Sequence, residues 1–218
     1  MTSERTSLPC WKSRQSNPPK LPCAFKLRKT LKMDEIKNIR SLIHEVASEV
    51  DTIANRYKKP SDIPKIERRI LVRSIFAFFE AIAFILKSSA LMANPAILKP
   101  EEIALAKEED YELSDSGEVE IRKAKLRFKP NLLFAFQIAA KSNQINFKLN
   151  VNCHQWEALI RSIKVRDRLT HPKKTEDMAV TEKEIEDAQI AYEWIFDQFG
   201  LSAALSLSKI LKEKKKSS

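Results

Sequence analysis

The sequence predicts an all-α bundle carrying one small β-hairpin. Only two glycines occur in 218 residues, although tight hairpins draw heavily on glycine. Leu, Ala, Lys, Glu and Ile are abundant, a composition that favours long helices. Apolar residues also recur three and four apart over long stretches, the period of a helix that buries one face. A chain of this length suits one core with appendages.

Residues 1–32 are rich in Ser, Pro, Lys and Arg, and Pro9, Pro18, Pro19 and Pro22 prevent a persistent helix, so a disordered basic tail is expected. The composition changes abruptly at Met33, which makes that residue a candidate natural start; the intact mass of the native protein decides the point. From Asp34 the residues Ile36, Ile39, Ile43, Val46, Val50, Ile53 and Tyr57 form an apolar seam on a first helix, ended by Tyr57-Lys-Lys-Pro60. Ser61 or Asp62 is expected to cap a second helix, with Pro64 in its first turn, running to about Ala93.

This second helix is the expected centre of the bundle. Leu71, Ile75, Phe78, Phe79, Ile82, Ile85 and Leu86 spread over too wide an arc for one neighbour to cover. Arg73, Glu80 and Lys87 recur every seven residues and fall on one line. Such a line needs solvent, an ion-pair network or a functional partner.

Pro100 is expected to begin a short helix through Glu109. The alternating segment Tyr111 to Arg122, with Ser116-Gly117 at its middle, predicts a hairpin placed at about 111–127. Asn131 to Lys141 returns to helical composition, and a polar connector runs from Ser142 to Asn150. Asn152 is expected to cap the next helix, which carries Trp156, Leu159, Ile160 and Ile163 and ends near His171 because Pro172 disfavours helical geometry there. Thr181 and Glu184 form a capping box for a last helix with Ile185, Ala188, Tyr192, Ile195 and Phe199 on its apolar face, expected to stop at Gly200. Leu201, Leu205, Ile210 and Leu211 suggest a separate short amphipathic helix docked on the bundle, before a basic tail at 209–218. The domain is thus placed at 33–208.

The net charge of +10 is unevenly placed. Residues 1–32 carry +7 and residues 209–218 carry +4, which leaves 26 basic and 27 acidic residues in the body. Basic ends hold polyanions without sequence preference. Cys10, Cys23 and Cys153 offer neither a disulfide framework nor a Cys-x-x-Cys half-site. A reducing cytoplasmic setting is expected. The most apolar run, Ile70 to Leu86, is broken by Arg73 and Glu80, so no membrane span is expected. There is no glycine-rich phosphate loop, His-Glu-x-x-His or nucleophile elbow. Neither cofactor nor metal is expected; His44 and the pair Cys153-His154 read as ordinary structural or surface residues.

The candidate site lies at the end of the fifth helical segment. At about 100° per residue, Arg161, Lys164 and Arg168 share one face, while Arg166 falls opposite with Leu159, Ile163 and Thr170. A guanidinium on an apolar face calls for a carboxylate, a phosphate or a partner surface. His171 stands at a helix-to-loop corner, where an imidazole is accessible.

Arg166-Asp167-Arg168-Leu169-Thr170-His171 resembles the signature of the HEPN superfamily, an Arg followed by a polar residue and, after four to six intervening positions, a His. The resemblance spans about residues 34–200. It implies a helical bundle, a homodimer that joins two motifs in one cleft, and a metal-independent endoribonuclease, often a toxin or defence protein. On that resemblance His171 is the acid/base, Arg166 the phosphate ligand, Asp167 the residue that orients the pair, and Glu80 a helper from the central helix. RNA carries its own nucleophile, the 2′-hydroxyl, so such a site need only move protons and stabilise charge. The expected partners are RNA, a second copy and, for a toxin, an antitoxin protein. Some family antitoxins modify a Tyr two residues after the motif His; Lys173 occupies that position, so such control is not expected. Other family members keep the bundle but only bind RNA, nucleotides or proteins, and this alternative stays open.

Overall fold

The computed structural model describes residues 33–216; the stretch 1–32, with its expected disorder, Cys10 and Cys23, lies outside the described residues, as do Ser217 and Ser218. Helix α1 (Met33–Ala54) buries the end of its predicted seam, Val50 and Ile53, against α2 (Lys65–Ala93). The helix stops at Ala54, so Tyr57 lies beyond it, where its hydroxyl donates to Glu67 Oε1 at 2.9 Å. Ser61 and Asp62 do not cap α2. They sit in a single 3-10 turn (Pro60–Asp62), and Pro64 is the N-cap. Because proline lacks the N–H that a first turn leaves unpaired, it starts the helix without a side-chain cap.

All seven apolar residues singled out on α2 are buried, Leu71, Ile75, Phe78, Phe79 and Ile82 completely. The breadth of that surface explains the architecture, since α1, α4 (Phe128–Ser142), α5 (His154–Thr170) and α6 (Glu182–Lys216) all pack on α2. At about 25 cal/mol per Å² of apolar surface removed from water, each such side chain contributes roughly 1.5–3 kcal/mol. Near the C-terminal end of α2 a second apolar cluster joins Ala90 and Leu98 to Ala106 of the short helix α3 (Pro100–Ala106) and Ile138 of α4. Buried Ser142 fastens the ends of α2 and α4 together: its hydroxyl donates to Ala90 O at 2.6 Å and accepts from Asn94 N at 3.0 Å.

The hairpin consists of β1 (Glu109–Leu113) and β2 (Val119–Lys123), antiparallel, with Glu109 opposite Lys123 and Leu113 opposite Val119. Gly117 supplies the positive φ of its turn, +79°. Glu108 enters β1 with φ 59°, a left-handed conformation that L side chains rarely adopt. What holds it is Lys87. This ammonium is 1% exposed on α2 and donates to Glu108 Oε1 at 2.7 Å and to Asn131 Oδ1 at 3.0 Å, so one buried cation joins α2, the hairpin and α4.

The predicted capping box at the start of α6 forms in both directions: Thr181 N donates to Glu184 Oε2 at 2.9 Å, and Glu184 N to Thr181 Oγ1 at 3.3 Å. On α5 the N-cap is Cys153 rather than Asn152, and no side chain caps it. Asn152 N is engaged by Asn150 Oδ1 at 3.0 Å instead.

The largest departure from the sequence reading is at Gly200, which does not stop α6. A glycine ends a helix by taking a left-handed conformation; Gly200 stays helical and α6 runs on to Lys216. The phase set by Ala188 and Ile195 then turns Ser202, Ser206 and Lys209 inward, while Leu201, Leu205 and Leu211 remain exposed. Lys209 donates to Asn143 O and Gln144 O, at the C-terminal end of α4, where a cation favours the exposed carbonyls. Residues 201–216 are therefore the last turns of α6, and neither a separate helix nor a free tail. No helix among the described residues is long and apolar enough to cross a membrane.

The buried Lys87 gives an ordered prediction. Glu108→Ala leaves the ammonium buried without its carboxylate and is expected to destabilise the fold by about 2–4 kcal/mol. Lys87→Met removes the buried charge itself and is expected to cost less. Urea unfolding followed by circular dichroism checks the order; a smaller loss for Glu108→Ala would contradict this account.

Candidate functional site

The charged line on α2 finds a partner at every position. Arg73 Nη2 donates to Leu169 O of α5 at 3.2 Å, Glu80 meets Arg166, and Lys87 takes Glu108 and Asn131. Seven-residue spacing brings all three round to one side of α2, and the first two thus face α5.

Arg166 is the exception on α5, as its place on the helical wheel requires. Arg161 and Arg168 are turned to α6, where Arg161 Nε reaches Asp187 Oδ2 at 2.7 Å and Arg168 Nη1 reaches Glu184 Oε1 at 2.8 Å. Arg168 also donates to the carbonyls of Asp177, at 3.0 Å, and Ala179. These two guanidinium groups are structural and hold the last two helices together, while Lys164 stays exposed. Arg166 points to α2. Its Nη2 lies 2.8 Å from Glu80 Oε1 and its Nη1 3.1 Å from Asp167 Oδ1. The guanidinium also stands over two rings, 6.0 Å from the centroid of Phe76 and 5.9 Å from that of Phe128. Two carboxylates and two π faces fix its plane.

Three of the four sequence-selected residues, Glu80, Arg166 and Asp167, therefore form one cluster. They line a cleft of ≈ 760 Å³ whose other wall comes from the segment between β2 and α4. His171 does not line this cleft. It is the exposed C-cap of α5, with φ −127°, its N–H donating to Asp167 O at 3.0 Å. Five residues of helix put it about 7.5 Å along the axis from Arg166 and some 140° round it. Its imidazole has no hydrogen-bond partner among the described residues. Thr170 Oγ1 donates back to Arg166 O at 2.8 Å, which secures the last turn before His171.

His44 is exposed on α1 and His154 on the first residue of α5, while Cys153 Sγ donates to Asn150 O at 3.1 Å. Among the described residues no group of three or more His, Cys, Asp or Glu side chains converges as metal ligands would.

Sequence reading missed the basic wall of the cleft. Lys123, Lys125, Arg127 and Lys129 occupy every second position and are exposed, whereas Ala124, Leu126 and Phe128 between them are partly buried. The alternation was visible in the sequence, but its relation to Arg166 was not. Also missed was Phe128, far from Arg166 in sequence and stacked beneath it in space.

Comparisons with protein-family models, with curated proteins and with solved structures found no match to this chain.

The ion pairs between α5 and α6 carry a pH prediction. The Arg161 guanidinium beside Asp187 holds that carboxyl below the usual range, despite the opposing effect of burial. For Glu184, burial is the largest single effect and raises the carboxyl pKa, but the hydrogen bonds from Arg168 and Thr181 together with the Arg168 charge outweigh it and the net shift is downward. With folded values below unfolded ones, the unfolded chain binds more protons as the pH falls. The stabilisation is complete above the unfolded values, about 4, and is lost as the pH drops through the folded ones. Asp187→Asn is expected to cost about 1–3 kcal/mol at pH 7 and to flatten the acid side of the stability curve; unfolding measured from pH 7 to pH 3 checks both.

Proposed function

We propose that this chain is a HEPN-type endoribonuclease that cleaves RNA without a metal ion, acting as a cytoplasmic toxin or defence effector. The observation that carries the reading is the setting of Arg166. It stands in a cleft, oriented by Glu80 and Asp167 and backed by Phe76 and Phe128. A guanidinium fixed in its plane presents paired donors to two oxygens of one phosphate. Both carboxylates that hold it are more than half exposed, so an incoming phosphate can exchange with them. In the reaction a base removes the 2′-OH proton, the 2′-oxygen bonds to phosphorus, the P–O5′ bond breaks and the departing O5′ takes a proton. The products are a 2′,3′-cyclic phosphate and a 5′-hydroxyl. His171 supplies the proton transfer and Arg166 stabilises the charge that grows on the phosphoryl oxygens.

The reading includes a homodimer. α2 presents an exposed stripe, Ile66, Ile70, Ala77 and Phe84, that runs beside the Glu80–Arg166 pair. Ile66, Ile70 and Phe84 are 43–62% exposed, and a stripe of this kind favours association with another surface. A second copy set against it would bring two motifs together, and with them a second His171 to divide base and acid duties.

A second reading, a HEPN module that binds RNA or nucleotides without cleaving, is favoured by one observation. The imidazole of His171 lies outside the cleft and lacks the orienting hydrogen bond that acid/base histidines commonly have. Cleavage separates the two readings. Wild type is expected to cut total RNA in EDTA, leaving cyclic-phosphate ends, and His171→Ala to lose about 10²–10⁴-fold in rate while keeping fold and assembly. Absence of cleavage by a folded wild-type dimer would leave the binding module. Phe84→Glu is expected to yield monomers by sedimentation and to reduce specific activity; a fully active monomer would remove the shared site.

A further inference from the structure

We propose that the segment from Lys123 to Lys129 is a phosphate track that docks single-stranded RNA along the cleft and leads its backbone to Arg166; the inference deepens the ribonucleic reading above and rests on it. Five of the eight residues from Arg122 to Lys129 are basic and none is acidic, whereas the body of the chain as a whole is close to neutral. Lys123, Lys125, Arg127 and Lys129 all line the cleft that holds Arg166. Burial alternates residue by residue from 123 to 129, with the basic residues outward and Ala124, Leu126 and Phe128 inward. Up to Arg127, which has φ −69° and ψ 139°, that alternation belongs to an extended chain, and Phe128 and Lys129 then open α4. Alternate side chains of an extended chain lie about 6.6 Å apart, a repeat that suits successive phosphates of an extended nucleic-acid strand.

The electrostatic balance also favours a polyanion. The three carboxylates lining the cleft are already engaged, Glu80 and Asp167 by Arg166 and Glu108 by Lys87. The side chains of Lys125 and Arg127 have no ion-pair or hydrogen-bond partner among the described residues, and Lys129 rests over the Trp156 ring at 5.7 Å. Lys123 is only 3.8 Å from the second oxygen of Glu108 and is 84% exposed. The track therefore offers solvated cations whose counterions phosphates can replace without first breaking a tight pair. Lys87 anchors its two ends through Glu108, at the start of the hairpin, and Asn131, in the first turn of α4. The hairpin thereby acquires a role: it carries and orients the basic segment that follows β2. A single strand fits better than a duplex, because one line of cations follows one backbone.

The test uses the full chain and a fluorescein-labelled oligouridine with 2′-O-methyl groups, which binds but cannot be cut. Lys125→Ala/Arg127→Ala is expected to weaken binding about tenfold and to reduce the slope of log affinity against log salt by about 1.4, two single-strand phosphate contacts. Lys58→Ala/Lys59→Ala, which removes the same charge from an exposed site after α1, is expected to leave both unchanged. Equal affinity and slope in the track variant and wild type would overturn the track, as would displacement of the RNA by polyglutamate at the same concentration as by unlabelled oligouridine. The ribonuclease reading fails separately: track-dependent binding without cleavage of unmodified RNA leaves the track standing, and cleavage with an unchanged KM in the track variant leaves the enzyme standing without it.

Discussion

Phe78, Phe79, Ile75 and Ile82 are completely removed from water, yet they spread round more of α2 than one neighbouring helix can cover. Satisfying them requires α1, α4, α5 and α6 to pack about the same axis, and this sets where every other group ends up. The edge-to-face contacts of Phe76 with Phe128 and of Phe78 with Tyr192 link α2 to α4 and to α6. Arg166 reaches Glu80 because α5 must cover the same helix that carries Glu80. The candidate site is thus a by-product of the burial of α2, placed at one margin of its apolar surface.

Along that margin α2 uses one charge after another to fasten a neighbour. Arg73 takes a carbonyl near the end of α5, Glu80 takes the guanidinium of α5, and buried Lys87 takes the hairpin and α4. The three differ in what they can do. Lys87 is sealed and committed to structure, since a desolvated ammonium must keep its partners. Glu80 is half-exposed and its pair with Arg166 opens onto the cleft, so Arg166 can exchange this carboxylate for a ligand oxygen. A single heptad line therefore passes from a structural anchor to a pair that chemistry can use.

The proposed acid/base residue and the proposed phosphate ligand are close in sequence but diverge in space. Five residues turn a helix by about 500°, so Arg166 and His171 leave α5 in different directions. The divergence gives the homodimer its physical purpose in the proposed mechanism, as two motifs facing each other can surround one phosphate from both sides. In that proposed mechanism the exposed apolar stripe on α2 would serve activity as well as assembly.

The helical architecture, the hairpin, the central role of α2 and the capping box of Thr181 and Glu184 were legible in the sequence because each depends on local periodicity or local hydrogen bonding. The helical wheel of α5 likewise identified Arg166 as the guanidinium on the wrong face. Gly200 misled because a C-terminal glycine only permits a helix to end; packing of Ile195 and Ser202 on the same face carried α6 straight through. The cap of α5 was misplaced because Asn150 competes for the backbone of Asn152. What only the tertiary structure decided is who meets whom: Glu80 with Arg166 across 86 positions, Lys87 with Glu108 and Asn131, and the basic segment before α4 with the cleft. The sequence by itself determined which faces had to be buried, since hydrophobic periodicity is a property of each helix alone; the pairing of charges between helices depended on how those faces were packed together.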